Sequence, residues 1–210
     1  FGEYNIYGSL PANLDYFNDE NINTKPIYID INAKSNSLEL LTPYFSFIKK
    51  LDGVFEYTLN IHGNYNNPIR DGEILIKNAY LDILQLDNRI SNINAYAIIN
   101  NNRLIINNFS AELLKEEDSK TLISGIASSV KDVFQSDENN YSSLSLSGSV
   151  NLDSFFKPDI SIVLNGKNNY LSSSYGQFEG FGDSNIAITG RDTMLIAGEF
   201  MPNFNQFTVF

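Results

Sequence analysis

The only histidine of the chain, His62, is the first place to look for acid–base or metal chemistry. It follows Ile61 in an alternating run, so it belongs to the opposite, polar face of a strand and reads as a solvated strand residue. With no second histidine and no cysteine, neither a zinc site nor a Ser-His-Asp relay has its parts. Asp15, Asp19 and Glu20 form one acidic cluster, and Glu116, Glu117 and Asp118 another. Neither has the central glycine and terminal glutamate of an EF-hand loop, and both read as solvated surface. Gly180-Phe181-Gly182 lacks the third glycine and the following helix of a dinucleotide fingerprint. Asn108-Phe109-Ser110 and Asn140-Tyr141-Ser142 match the glycosylation acceptor pattern, which chance supplies in so Asn-rich a chain. No catalytic residue, metal ligand or cofactor is assigned, and the chain reads as non-enzymatic.

Composition narrows the remaining classes. The 210 residues carry 14 Lys+Arg against 25 Asp+Glu, a net charge of −11, and the basic residues are scattered. That balance opposes phosphate backbones and excludes nucleic acid as an expected partner. A hydrophobic fraction of 42% against 19% charged residues is that of a folded chain. No window approaches the roughly 18 to 20 consecutive apolar residues of a membrane-spanning helix. A start at Phe1 without Met, and an end on Phe207, Val209 and Phe210 in mid-pattern, are expected of a piece of a longer protein whose targeting signal or anchor lies elsewhere.

The elements that position these residues are strands. Period-two alternation puts every second side chain on one face, and it recurs in most of the chain. Tyr4 and Ile6; Ile27, Ile29 and Ile31; Phe55, Tyr57, Leu59 and Ile61; Ile74 and Ile76; and Ala95, Ala97 and Ile99 all follow it. Leu104 and Ile106, Leu122 and Ile126, Leu144, Leu146 and Val150, Ile160 and Ile162, and Ile186 and Ile188 continue it. The breaks carry turn chemistry: Gly63 to Pro68 reads G-N-Y-N-N-P, and Asn100, Asn101 and Asn102 stand between two runs as a hairpin loop would. Between Asn78 and Leu86 both phases are apolar, so the inward face is undetermined there. One segment breaks the pattern: Leu40, Leu41, Tyr44, Phe47, Ile48 and Leu51 fall at helical spacing, with Pro43 near the start and Gly53 past the end. A short helix is expected over 38–51.

The chain also repeats itself. Lys25 to Leu38 matches Lys157 to Leu171, Gly53 to Gly63 matches Gly180 to Gly190, Gly72-Glu73-Ile74 matches Gly198-Glu199-Phe200, and the surroundings of Gly8 match those of Gly148. Two units follow, residues 1–135 with the helical insertion and residues 141–210 as a shorter second copy, both within one continuous elongated β structure. Stacked β units of this kind build extended structures rather than compact enzyme pockets.

The order of these elements resembles the TamB/AsmA-like family of bacterial envelope proteins, in particular the repetitive region of TamB. The resemblance runs through Val54 to Ile83, with a strand ending in glycine, an N-P turn and G-x-hydrophobic-x-hydrophobic, and through Ile90 to Glu112. Tyr7 to Pro11 and Leu38 to Ile48 also look like it, whereas Thr189 to Gly198 lacks the N-P turn. The resemblance implies a twisted sheet folded lengthwise into a taco-like groove with an apolar interior. It further implies phospholipid transport between the inner and outer membranes of a diderm bacterium, outer-membrane protein assembly, or both. The implied location is the periplasm, with an inner-membrane anchor outside this sequence. The implied partners are phospholipid acyl chains, the two membranes, and an outer-membrane assembly protein of the BamA type. Phe55, Tyr57, Leu59, Ile61, Ile74, Ile76, Leu104 and Ile106 are the expected groove lining. The alternative is a β-sandwich adhesion or scaffold module, in which the same faces close into a dry core. A carbohydrate-active enzyme using Asp15 or Glu116 ranks third.

Overall fold

The computed structural model describes residues 2–11, 25–35, 37–39, 42, 47–113, 142–154, 157–173 and 175–209, the side chains of 204–206 excepted. The protein is all-β, as the alternation requires. Its strands are β1 (Glu3–Ser9), β2 (Pro26–Ser35), β3 (Ile48–Asn64), β4 (Pro68–Ile83), β5 (Arg89–Asn100), β6 (Arg103–Leu113), β7 (Ser143–Asn151), β8 (Asp159–Ser172), β9 (Phe178–Gly190) and β10 (Met194–Val209). They form one antiparallel sheet in sequence order, each strand paired with its chain neighbours. A sandwich needs two facing sheets, so the alternative architecture is not the one these strands build.

The turns form where the sequence places them. In the β3–β4 turn the Asn67 amide donates to the Asn64 carbonyl at 3.1 Å and to its side-chain Oδ1 at 2.9 Å. Asn101 and Asn102, between β5 and β6, both take positive φ, 47° and 65°, as a two-residue hairpin turn of the favoured twist demands.

The helix expected over 38–51 is corrected. Ile48 to Leu51 belong to β3, because the long β4 offers them partners: Ile48 opposes Ile83, Lys50 opposes Asp82 and Leu51 opposes Leu81. Ladder hydrogen bonds and cross-strand apolar pairs outweigh a local helical spacing of this length. Phe47 lies in a turn, Glu39 and Thr42 in short 3₁₀ turns, and the rest of the segment lies outside the described residues. Among the described residues there is no α-helix. The acidic clusters at 15–20 and 116–118, the strand expected at Leu122 and Ile126, and the joint between the two expected units also lie outside them.

The repeat has a structural meaning. Gly8, Gly72, Gly148 and Gly198 sit where the neighbouring strand comes closest: a Cβ on each would lie 2.6, 2.1, 2.2 and 2.2 Å from the carbonyl oxygens of Tyr28, Thr58, Ser161 and Asn185. Such close approach is open only to glycine and lets adjoining strands coil tightly. By the sequence matches, β1 corresponds to β7, β2 to β8, β3 to β9 and β4 to β10.

Candidate functional site

Directly opposed residues of an antiparallel sheet share a face, so the registers show which side chains line up. Ile6 opposes Ile31, Ile31 opposes Leu59, Leu59 opposes Gly72, Gly72 opposes Ile99, Ile99 opposes Leu104 and Leu104 opposes Val150. The adjacent row runs Ala33, Tyr57, Ile74, Ala97, Ile106, Gly148, Ile162, Ile188 and Ile196. All of the groove residues named from the sequence, Phe55, Tyr57, Leu59, Ile61, Ile74, Ile76, Leu104 and Ile106, therefore stand on one face. Leu59 is buried and the others are half-buried, the state of an apolar face that is curled over but not sealed. The opposite face carries the row Thr58, Glu73, Ile98, Ile105, Ser149, Ser161 and Thr189, and it also holds His62. The His62 Nδ1 lies 3.1 Å from Asn60 Oδ1 and 3.7 Å from Asp71 Oδ2, a half-exposed polar cluster on a strand.

A line of β-bulges bends this apolar face. Registers shift at Asp52/Val54 in β3, at Ile76/Ala79 in β4, at Ser91/Asn94 in β5 and at Gly166/Asn169 in β8. Asn78, Asn92 and Asn168 take positive φ at these shifts, where an extra residue lets the strand turn and twist. The bulge at Asn78 also settles the ambiguous phase, since the inward set runs Ile74, Ile76, then Ala79, Leu81 and Ile83. Asparagine side chains hold the line together. Asn94 Oδ1 accepts from the Asn78 amide at 3.1 Å, Asn94 Nδ2 donates to the Asn92 carbonyl at 2.9 Å, and Asn92 Nδ2 donates to Glu112 at 2.7 Å.

Beyond the bulges the face closes. The β4–β5 connection reaches over to the end of β8, where the Asn88 side chain donates to the Tyr170 carbonyl at 2.7 Å and accepts from the Ser172 amide at 3.2 Å. The Asp87 amide donates to the Ser172 carbonyl, and Leu86 bridges Ser173. In a flat sheet β5 and β8 would stand roughly 14 Å apart. Their contact through this strap requires the sheet to curl around the apolar face.

Beneath the strap lies an apolar cavity of about 500 Å³, lined mainly by Ile83, Leu86, Ile90, Leu113, Leu144, Leu164, Leu171, Ile186, Ile196 and Phe200. It falls within the roughly 300–1,000 Å³ of small-molecule sites. Its polar lining residues are Asn169, Ser184 and Glu199; Asn169 is fully buried and satisfied: the Ser142 hydroxyl donates to its Oδ1 at 2.8 Å, and its Nδ2 donates to the Ser143 carbonyl at 3.2 Å. At the opposite end, Arg70 follows Ile61 on the apolar face and is buried. Its Nη1 donates to the Leu152 carbonyl at 3.0 Å and to Asn102 Oδ1 at 3.2 Å, beyond the tip of the β5–β6 hairpin. Burial pushes the Tyr57 phenol up to about 12, against the opposing pull of the Arg70 charge, so Tyr57 presents a neutral ring to the face.

None of the groove residues named from the sequence lines this cavity. Leu144 and Ile186 were legible as strand residues, and Leu164 continues the alternation of Ile160 and Ile162, so a phase argument reaches them. Phe200 is reached through the repeat, where it is the counterpart of Ile74, whereas Leu86 depends on the strap, which no local pattern shows. Among the described residues no group of His, Asp and Glu side chains is arranged to hold a metal ion. No family model matches the chain, and no curated protein and no solved structure matches it either.

Proposed function

We propose that this chain is a non-enzymatic lipid-binding groove, a segment of a conduit that carries phospholipid acyl chains across a diderm cell envelope. The observation that supports it is the largely apolar face, exposed at Ile6 and Ile196, buried or half-buried along the rows between them and deepening into the cavity under the strap. An acyl chain laid on such a face gains roughly 0.8 kcal/mol per buried CH₂, with no directional chemistry required. The polar outer face and the net charge of −11 keep the exterior wetted and repel anionic headgroups along its length. The resemblance to TamB-like proteins favours the same reading. In that setting the chain works in the periplasm, between the two membranes and beside an outer-membrane assembly partner of the BamA type.

The test is binding of a fluorescent fatty acid, displaced by phospholipid, to the purified chain and to Ile106→Asp and Leu164→Asp variants. The expected result is saturable binding that falls at least tenfold in either variant while the β circular dichroism signal is kept. Unchanged binding in both folded variants would overturn the assignment.

A further inference from the structure

The inward row of β9 is not apolar throughout. Ile188 and Ile186 are followed on the same face by Ser184, which stands opposite Gly166 of β8 and Phe200 of β10 and lines the cavity beside Phe200. The bulge between Gly166 and Asn169 brings a second polar side chain to the same place. A Cβ on Gly166 would run into both Asn169 Nδ2 and Ser184 Oγ, so the two groups converge over a residue with no side chain to hold them apart.

Both have donor capacity left over. The Ser184 hydroxyl has no hydrogen-bond partner among the described residues. A carboxamide carries two N–H groups. Asn169 gives one of them to the Ser143 carbonyl, and the other meets no acceptor among the described residues.

Two donors at the wall of an apolar cavity suit an acceptor oxygen, and the surrounding charge decides which kind. Among the described residues no Lys or Arg lines the cavity, and its charged lining residue is Glu199, an acid. A carboxylate or phosphate brought to Ser184 would be buried without a counter-charge, at a cost of several kcal/mol. A neutral carbonyl avoids that cost and, having no N–H or O–H of its own, only accepts.

We propose that Ser184 and Asn169 hold the ester carbonyl of an acyl lipid, with its tail against Leu144, Leu164, Ile186 and Phe200 and its charged headgroup outside the cavity. The inference rests on the lipid-binding reading and adds a selectivity to it: ester-linked chains are preferred over ether-linked chains of equal length.

The test compares monopalmitoyl glycerol with the monohexadecyl ether of glycerol, which differ at the carbonyl alone, in displacing an uncharged apolar dye such as Nile red from the full chain. One neutral hydrogen bond corresponds to about three- to tenfold in affinity, so the ester should displace the dye at a concentration lower by that factor. In Ser184→Ala the ester should fall to the level of the ether, while the ether keeps its own affinity and so reports an intact cavity. Equal displacement by the two lipids in the unmodified chain would overturn the proposal and leave the lipid-binding reading standing. An ester preference that survives in Ser184→Ala would overturn it as well. Displacement by neither lipid would overturn both readings together.

Discussion

At Asn78, Asn92 and Asn168 the backbone takes positive φ, a conformation asparagine tolerates far better than branched residues do. Read as composition, the abundance of asparagine suggests no more than a genomic bias; in the fold these side chains turn and tie the bulges. The bulge at Asn168 has a charged clamp: Asp183 accepts from the Asn168 amide at 2.8 Å and from Lys167 Nζ at 2.6 Å. The Lys167 hydrogen bond and then the Asn168 amide hold the Asp183 carboxyl below its ordinary value. A depressed carboxylate stabilises the fold above its unfolded pKa, and that contribution is lost as pH falls through the lower folded value. Asp183→Asn should therefore cost about 1 kcal/mol near neutral pH, and its deficit should shrink in acid, as read by urea melts across pH 7 to 3. A deficit independent of pH would show that the carboxylate charge is irrelevant there. Gly72→Ala should cost about 1–3 kcal/mol in the same assay, since its Cβ would have to displace the Thr58 carbonyl.

At the level of the element, the strap formed by the β4–β5 connection is what turns an open sheet into a groove with a deep end. Asn88 is buried, and its side chain satisfies both a carbonyl and an amide of β8. Asn88→Ala should cost about 1–3 kcal/mol by leaving those groups without a partner. It should also speed entry of an apolar dye into the cavity, measured by stopped-flow fluorescence; unchanged entry would mean the strap does not limit access. The strands themselves were legible because alternation is a local property, and Ile27 to Ile31 or Phe55 to Ile61 cannot bury one face in any other form. The strap was not, because it joins residues more than eighty positions apart whose types, Asn and Ser, mark turns everywhere in this chain. The segment at 38–51 failed for the same reason in reverse: its spacing is local, whereas the partner that draws Ile48 to Leu51 into β3 lies across the β3–β4 turn.

Across the whole molecule, one face carries the apolar rows from Ile6 to Ile196, and the other mixes serine, threonine and acids with Ile98, Ile105 and Leu195. The eight lining residues inferred from the sequence share that face, but the deep end lies under the strap and among the strands of the second copy. The proposed lipid groove rests on a face that is apolar over most of its length, only partly buried, and closed at one end where Leu86, Leu164 and Leu171 line the cavity. The measurement closest to that claim is native mass spectrometry of the purified chain with extraction and identification of bound lipid. The account predicts phospholipid at a defined stoichiometry, lost in Leu164→Asp with the β signal intact. A lipid-free chain that also takes up no apolar probe would contradict it.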